Sequence, residues 1–326
     1  MRPRRRGPRH TSLSVRYCAM TAAAYGSSGT RVRRPTMRRW IGAIYVLPAV
    51  AVFALFIAWP VIETVRLSVV DWDGLSEAKR FVGFDNFREL ATDDPYFWTA
   101  VKNTAIWAAV SVPTTILVGL GLALVLDRKL RFRNFYRSAF FLPVVMSSVV
   151  ISAAWGWMYN PQFGVANTFV GWLGIDPQVW LGDPDLALWA SLLVSVWRWS
   201  GLTMLFFLAA LQTIPPDLYQ AARVDGASDW AQIRRISLPL LKPMLALLIL
   251  LGTIGAFKEF EIIYILTGGG PAHATDLLSI QIFDQGFKLG RSGYAAAIST
   301  VLLVATVVAA LVELEYLLRK NRELTT

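Results

Sequence analysis

The chain has 326 residues, 55% hydrophobic and only 17% charged, whereas soluble domains carry roughly a quarter charged. With a formal charge of +10, one cysteine and two histidines, it has no internal disulfide and no credible soft metal site. Its apolar residues fall into long runs, which excludes an ordinary soluble domain and points to an all-α polytopic membrane protein.

Residues 1–36, rich in Arg, Pro, Gly and Ser, read as a disordered basic segment, with Met1, Met20 and Met37 as alternative starts. A membrane domain is expected over 37–326. A span needs about 20 apolar residues to cross a hydrocarbon core of about 30 Å. Six runs qualify: Ile41 to Ile62, Ala105 to Leu126, Ala139 to Met158, Leu186 to Leu211, Met244 to Leu266 and Tyr294 to Leu318. The first is long and keeps its helical character toward Val69, as an uncleaved anchor does. The fifth is interrupted by Lys258, Glu259 and Glu261.

Lys and Arg crowd Arg2 to Arg39 and recur at Arg128 to Arg137, at Arg223, Arg234, Arg235 and Lys242, and at Arg319 to Arg322. These are alternate connections, so the positive-inside rule places them, and both termini, in the cytoplasm. The connection Tyr159 to Asp185 has no Lys or Arg and fits the outside. The basic excess therefore reports topology and contact with a lipid bilayer, not nucleic-acid binding.

Pro113 and Pro143 can kink spans two and three, and Gly119, Gly121 and Ala123 offer a small-residue face for close helix contact. Tryptophans and then Asn160-Pro161 and Gly164 read as span three ending in an ordered turn. Arg198, between Trp197 and Trp199, lies near the middle of span four, where a charge is costly unless paired or hydrated. It either serves the solute path, forms a structural pair with Glu259 or Glu261, or snorkels to water.

Between spans four and five, residues 213–239 read as a cytoplasmic helical hairpin. Pro215 and Pro216 open the first helix and Asp217 suits the positive end of its dipole. Leu218, Ala221, Ala222 and Asp225 recur at helical spacing, giving a face suited to close docking. Gly226 sits where a helix end wants a left-handed residue. Ser228 is a good cap for a second helix from Asp229 to about Ile236, with Pro239 helping to end it.

The spacing of Gln220-Ala221-Ala222, Gly226, Ile236, Leu238 and Pro239 resembles the EAA loop of permease subunits in binding-protein-dependent ABC importers. FVGFDNFREL, LGLALVLDRKLRFRNFYRSAFFLP and FKEFEIIYILTGGGPAHAT are similar to the sugar-transporting branch of that family. The resemblance implies about six spans with a cytoplasmic coupling hairpin between the fourth and fifth, in the plasma membrane of a prokaryote. It implies an ATPase dimer docked on the hairpin, a second permease subunit and an extracytoplasmic solute-binding protein. Gln220, Ala221, Ala222, Asp225 and Gly226 would form the coupling contact, and Arg198 would line the path or touch the second subunit. Gln220 stands where the family usually has Glu, so a charge-based contact there does not carry over. No cofactor, metal or catalytic residue is implied, and ATP hydrolysis belongs to the partner.

Two other classes make different demands. A self-sufficient secondary transporter or channel would place coupling acids near mid-membrane. A membrane enzyme would need a cluster of ligands or a nucleophile with its base. Neither accounts for the hairpin.

Overall fold

The computed structural model describes residues 37–128 and 130–322, so the leader assigned to 1–36 lies outside the described residues. Two compact units divide between Trp59 and Pro60. The first contains α1 (Met37–Phe53) and a wide π-turn, Ala54–Ala58.

The second unit begins at the second residue of α2 (Trp59–Leu67), which leads to a two-residue antiparallel ladder, β1 (Val70–Asp71) with β2 (Arg80–Phe81). The short α3 (Asp85–Thr92) and the long α4 (Phe97–Leu126) follow. Next come α5 (Arg133–Val145), α6 (Ser148–Met158), α7 (Val165–Trp172) and α8 (Ala187–Leu211). A polar hairpin holds α9 (Pro216–Val224), α10 (Asp229–Gln232), a π-turn at Ile233–Ser237 and α11 (Leu238–Leu240). The chain closes with α12 (Lys242–Phe257), α13 (Glu261–Leu266), α14 (Leu278–Phe283) and α15 (Ser292–Arg322).

Four helical stretches are long and apolar enough to cross a membrane: Tyr45–Leu67, Phe97–Leu126, Ala187–Leu211 and Ser292–Tyr316. Two bent pairs raise the number to six if each is one span. The first, α5 with α6, turns by 102°. The break lies not at Pro143, which stays inside α5, but at Met146 and Ser147, whose backbones are extended. There the Ser147 hydroxyl caps α6 by accepting the Val149 N–H at 3.3 Å. In the other pair, Asp229–Leu240 meets α12 at 63°.

The fifth apolar run is not one helix either. It stops at Phe257 and restarts at Glu261, and the Glu259 carboxylate accepts the Ile262 N–H at 3.3 Å. A charged group inside an apolar run has thus become the cap of a new helix, which satisfies a donor that the bilayer could not.

The core forms where α4 packs against α8, with α12 alongside. Trp107, Met204 and Phe207 are fully buried there. At Gly201 a Cβ would lie 1.9 Å from the Phe140 carbonyl oxygen, so only glycine lets the α5 backbone cross α8 so closely. Gly119 makes a similar contact, its missing Cβ falling 2.6 Å from Thr203 Cγ2. Gly121, expected on the same face, points away with nothing within 4 Å, since two residues along a helix turn the side chain about 200°.

At the α4 N-terminal end, α3 is clamped to α15. Arg291 Nη2 donates to both Glu89 carboxylate oxygens at 2.7 Å, and the Tyr294 hydroxyl donates to Asp94 at 2.6 Å. Asn103 Nδ2 donates at 3.0 Å to the Ala274 and Asp276 carbonyls, fastening the glycine-rich connection onto α4.

Candidate functional site

The hairpin after α8 is built from local signals that the structure realises one by one. Pro215 is extended at the N-cap, Pro216 takes the first helical position, and Asp217 lies in the first turn. At the far end of α9, Gly226 has φ +77°. Its N–H reaches the Arg223 carbonyl at 3.0 Å and that of Ala227 reaches Ala222 at 2.8 Å, the bond pair of a Schellman turn. Ser228 then caps α10, accepting the Ala231 N–H at 3.3 Å.

Pro239, expected to end the second helix, does not. The preceding π-turn bonds Leu238 N–H back to Ile233 O, and that extra residue relieves the backbone where a proline would otherwise clash. The helical path runs on to Leu240 and bends there into α12.

Side-chain bonds make the hairpin one body. The Tyr219 and Ser237 hydroxyls lie 2.9 Å apart, and the buried Gln232 donates to the Ala227 carbonyl at 3.0 Å. Arg128, just past α4, pairs with Asp229 at 3.5 Å. Of the sequence-predicted residues, Gln220, Ala221, Asp225 and Gly226 are exposed, Ala222 is half-buried, and Leu218 is exposed beside them. Gln220 also lines a cleft of about 680 Å³ with Asp127, Arg128, Arg223 and Asp229. The arrangement presents a small-residue face outward while its other side grips the ends of α4 and α8.

Arg198 stands elsewhere, near the middle of α8, and the structure brings it to the break between α5 and α6 and to the break between α12 and α13. Its Nη1 donates to the Ser148 hydroxyl at 2.5 Å and lies 4.0 Å from the Glu261 carboxylate, to which Ser148 also hydrogen-bonds. The Arg198 side chain is 12% exposed and that of Glu261 65%. Of the two partners considered, the ion pair is with Glu261. Glu261 of the fifth run therefore sits against the middle of α8.

A separate cavity of about 240 Å³ opens between α4, α8 and α12. Trp107, Ser111, Ser195, Trp199, Thr203 and Glu259 are among its lining. No group of three or more His, Cys, Asp or Glu side chains able to hold a metal occurs among the described residues.

Sequence reasoning missed Tyr219, Ser237, Ser148 and the Arg128–Asp229 pair. Ser148 hides as one small polar residue in an apolar run, and Arg128 in sequence signals topology alone. Tyr219 and Ser237 lie 18 positions apart, one in α9 and one at the end of the π-turn, so no local pattern links them.

A bundle of apolar helices, two of them broken at mid-run, with a rigid polar hairpin under its core, defines a membrane transport component. The chain belongs to the family of binding-protein-dependent transport system inner membrane components, whose model matches residues 115–315. It is 37% identical to the trehalose/maltose transport system permease protein MalF of Thermococcus litoralis, over 81% of this chain and 89% of that one. The lactose transport system permease protein LacF of Rhizobium radiobacter is 35% identical, over 84% and 94%. Among solved structures, a bacterial ABC transporter involved in the import of the acidic polysaccharide alginate matches with TM-score 0.75 and 26% identity. That match covers 87% of this chain and 96% of the other. The family supplies a transporter's membrane component, not an enzyme.

Proposed function

We propose that this chain is a permease subunit of an ATP-driven sugar importer, and that its hairpin is the lever by which a separate ATPase dimer moves the spans. The observation that carries this is the rigid, outward-facing turn around Gly226, bonded on one side to itself and on the other to the end of α4. A coupling element must bias the same bistable body that the spans form, and a stiff helix pair anchored to two spans meets that requirement. Gln220, Ala221, Ala222, Asp225 and Gly226 are the contact and hinge positions.

The solute class follows from relatives whose names give trehalose/maltose and lactose as cargo. A solute-binding protein outside the membrane delivers it, in keeping with the alginate transporter solved with a substrate-loaded periplasmic protein. A second, different permease completes the path. The bilayer is a prokaryotic plasma membrane crossed six times, with both termini and the hairpin in the cytoplasm, as the Lys and Arg distribution favours. Residues 37–326 form the permease domain. Arg198 serves as a structural tie between the broken runs at the edge of the path.

Detergent purification of the tagged chain from its own membranes tests this directly. An ATPase and a second permease should co-purify with wild type and be depleted with Gly226→Val. Recovery of the chain alone, under conditions that keep other membrane complexes together, would favour a self-sufficient transporter.

A further inference from the structure

The connection from Tyr159 to Asp185 carries an apolar protrusion that the importer function leaves unexplained. Its base is polar and fully bonded. Asn167 Nδ2 donates to the Pro161 and Gln178 carbonyls at 3.1 and 2.9 Å, while its Oδ1 accepts from Gln178 N–H at 3.0 Å and Trp180 Nε1 at 2.7 Å. Ala166 and Trp180 pack onto the buried cluster of Ile151, Tyr159 and Val194, so one side of α7 is fixed to the bundle.

The other side is bare. Phe169 is 57% exposed, Trp172 76% and Leu173 77%, and the Phe169 and Trp172 rings pack edge to face at 5.2 Å. Gly174, at φ +75°, turns the chain back through a second Schellman turn, with its N–H on Gly171 O and that of Ile175 on Val170 O. The tip is thus an exposed Trp-Leu-Gly-Ile corner on a rigid stem.

We infer that this corner is an interfacial anchor, its Trp172, Leu173 and Ile175 side chains seated at the headgroup–acyl boundary of the bilayer. Three features single out lipid. The connection follows directly on α6, itself bare on one face, where Val149, Val150 and Trp157 are 59%, 52% and 77% exposed. Aromatic rings suit that depth, having an apolar body and a polar edge. And residues 171–177 are all exposed, as a segment that inserts into a fluid surface must be when no lipid is around it. With no Lys or Arg between Tyr159 and Asp185, the anchor holds by insertion and not by attraction to anionic headgroups. It would fix the tilt of the bent α5–α6 run while the hairpin at the opposite end of α8 moves.

The inference rests on the membrane-spanning reading and not on which side the connection faces. Spin labels would be placed at Trp172→Cys, Leu173→Cys and, as a control, Asp176→Cys in a Cys18→Ser background. The assembled importer would be held in phosphatidylcholine nanodiscs, and collisions with oxygen compared with those of a water-soluble nickel chelate. Labels at 172 and 173 should favour oxygen by several-fold and the label at 176 the chelate, with wild-type stem contacts left intact. Chelate-dominated signals at 172 and 173 would overturn the anchor, as would poor access to both agents, which marks a protein cover. Labelling of Asp176→Cys by a membrane-impermeant thiol reagent, added separately to each face of sealed vesicles, reports the orientation independently.

Discussion

The Tyr219 hydroxyl stands 2.9 Å from the Ser237 hydroxyl, joining α9 to the wide turn that precedes α11. This bond closes the hairpin across the Gly226 turn, so a push on α9 is carried straight to the helix that enters α12. Removing it by Tyr219→Phe keeps the ring and costs about 1 kcal/mol, the net worth of one such bond. The hairpin then yields under load. We expect normal assembly, but solute moved per ATP hydrolysed should fall about two- to fivefold in proteoliposomes. An unchanged ratio would mean that the two arms need not move together.

At Gly226 the demand is on backbone alone, because an added Cβ would meet nothing within 4 Å while φ is +77°. A left-handed conformation costs most residues about 1–2 kcal/mol, more for β-branched ones, and Asn least. Gly226→Asn should therefore keep most uptake, Gly226→Ala lose some, and Gly226→Val lose nearly all, with membrane insertion equal in the three. Equal uptake by Val and Asn variants at matched expression would refute a conformational role for this position.

The hairpin was legible because its signals are local: proline at the first turn, glycine at the helix end, serine at the cap. The long apolar runs were legible for the same reason, since hydrocarbon thickness fixes their length. What stayed hidden depends on pairing across the fold. The break at Met146–Ser147 lies beside Ser148, which Arg198 contacts from another helix, and across the break at Lys258–Phe260 the Glu259 carboxylate accepts the Ile262 N–H. Pro239 misled for a related reason, as a proline's effect depends on whether the turn before it is α or π.

Asp276 gives a pH-dependent test in the connection before α14. Burial pushes its carboxyl up from the usual range, and hydrogen bonds from His273 and Gln281 pull it only part of the way back. The sign follows from the direction: the folded state holds the proton more tightly, so the stabilisation is complete below about pH 4 and is lost as pH rises through the raised value. Asp276→Asn removes that loss. In thermal unfolding of purified protein, the variant should gain on wild type between pH 4 and pH 7. A difference that stays constant across this window would show that His273, 2.5 Å away, fully compensates the buried charge.

Arg198 and Glu261 supply the sharpest energetic test, because they tie together segments that the backbone leaves separate. Arg198 touches Ser148 at the start of α6 and lies 4.0 Å from Glu261 at the start of α13. Arg198→Ala removes a charge-assisted bond worth about 1.5–3 kcal/mol and leaves two broken runs unpinned. Glu261→Ala alone strands a largely buried guanidinium, which costs about as much. If the pair acts as a tie, the double variant should be less destabilised than the sum of the two, with a coupling of about 1 kcal/mol or more. Arg198→Lys should recover only part of the loss, since a point charge cannot reach both Ser148 and Glu261 with a fixed fork. Additive losses in melting temperature across the cycle would mean that the two residues act separately and that each helix break is held by its own caps.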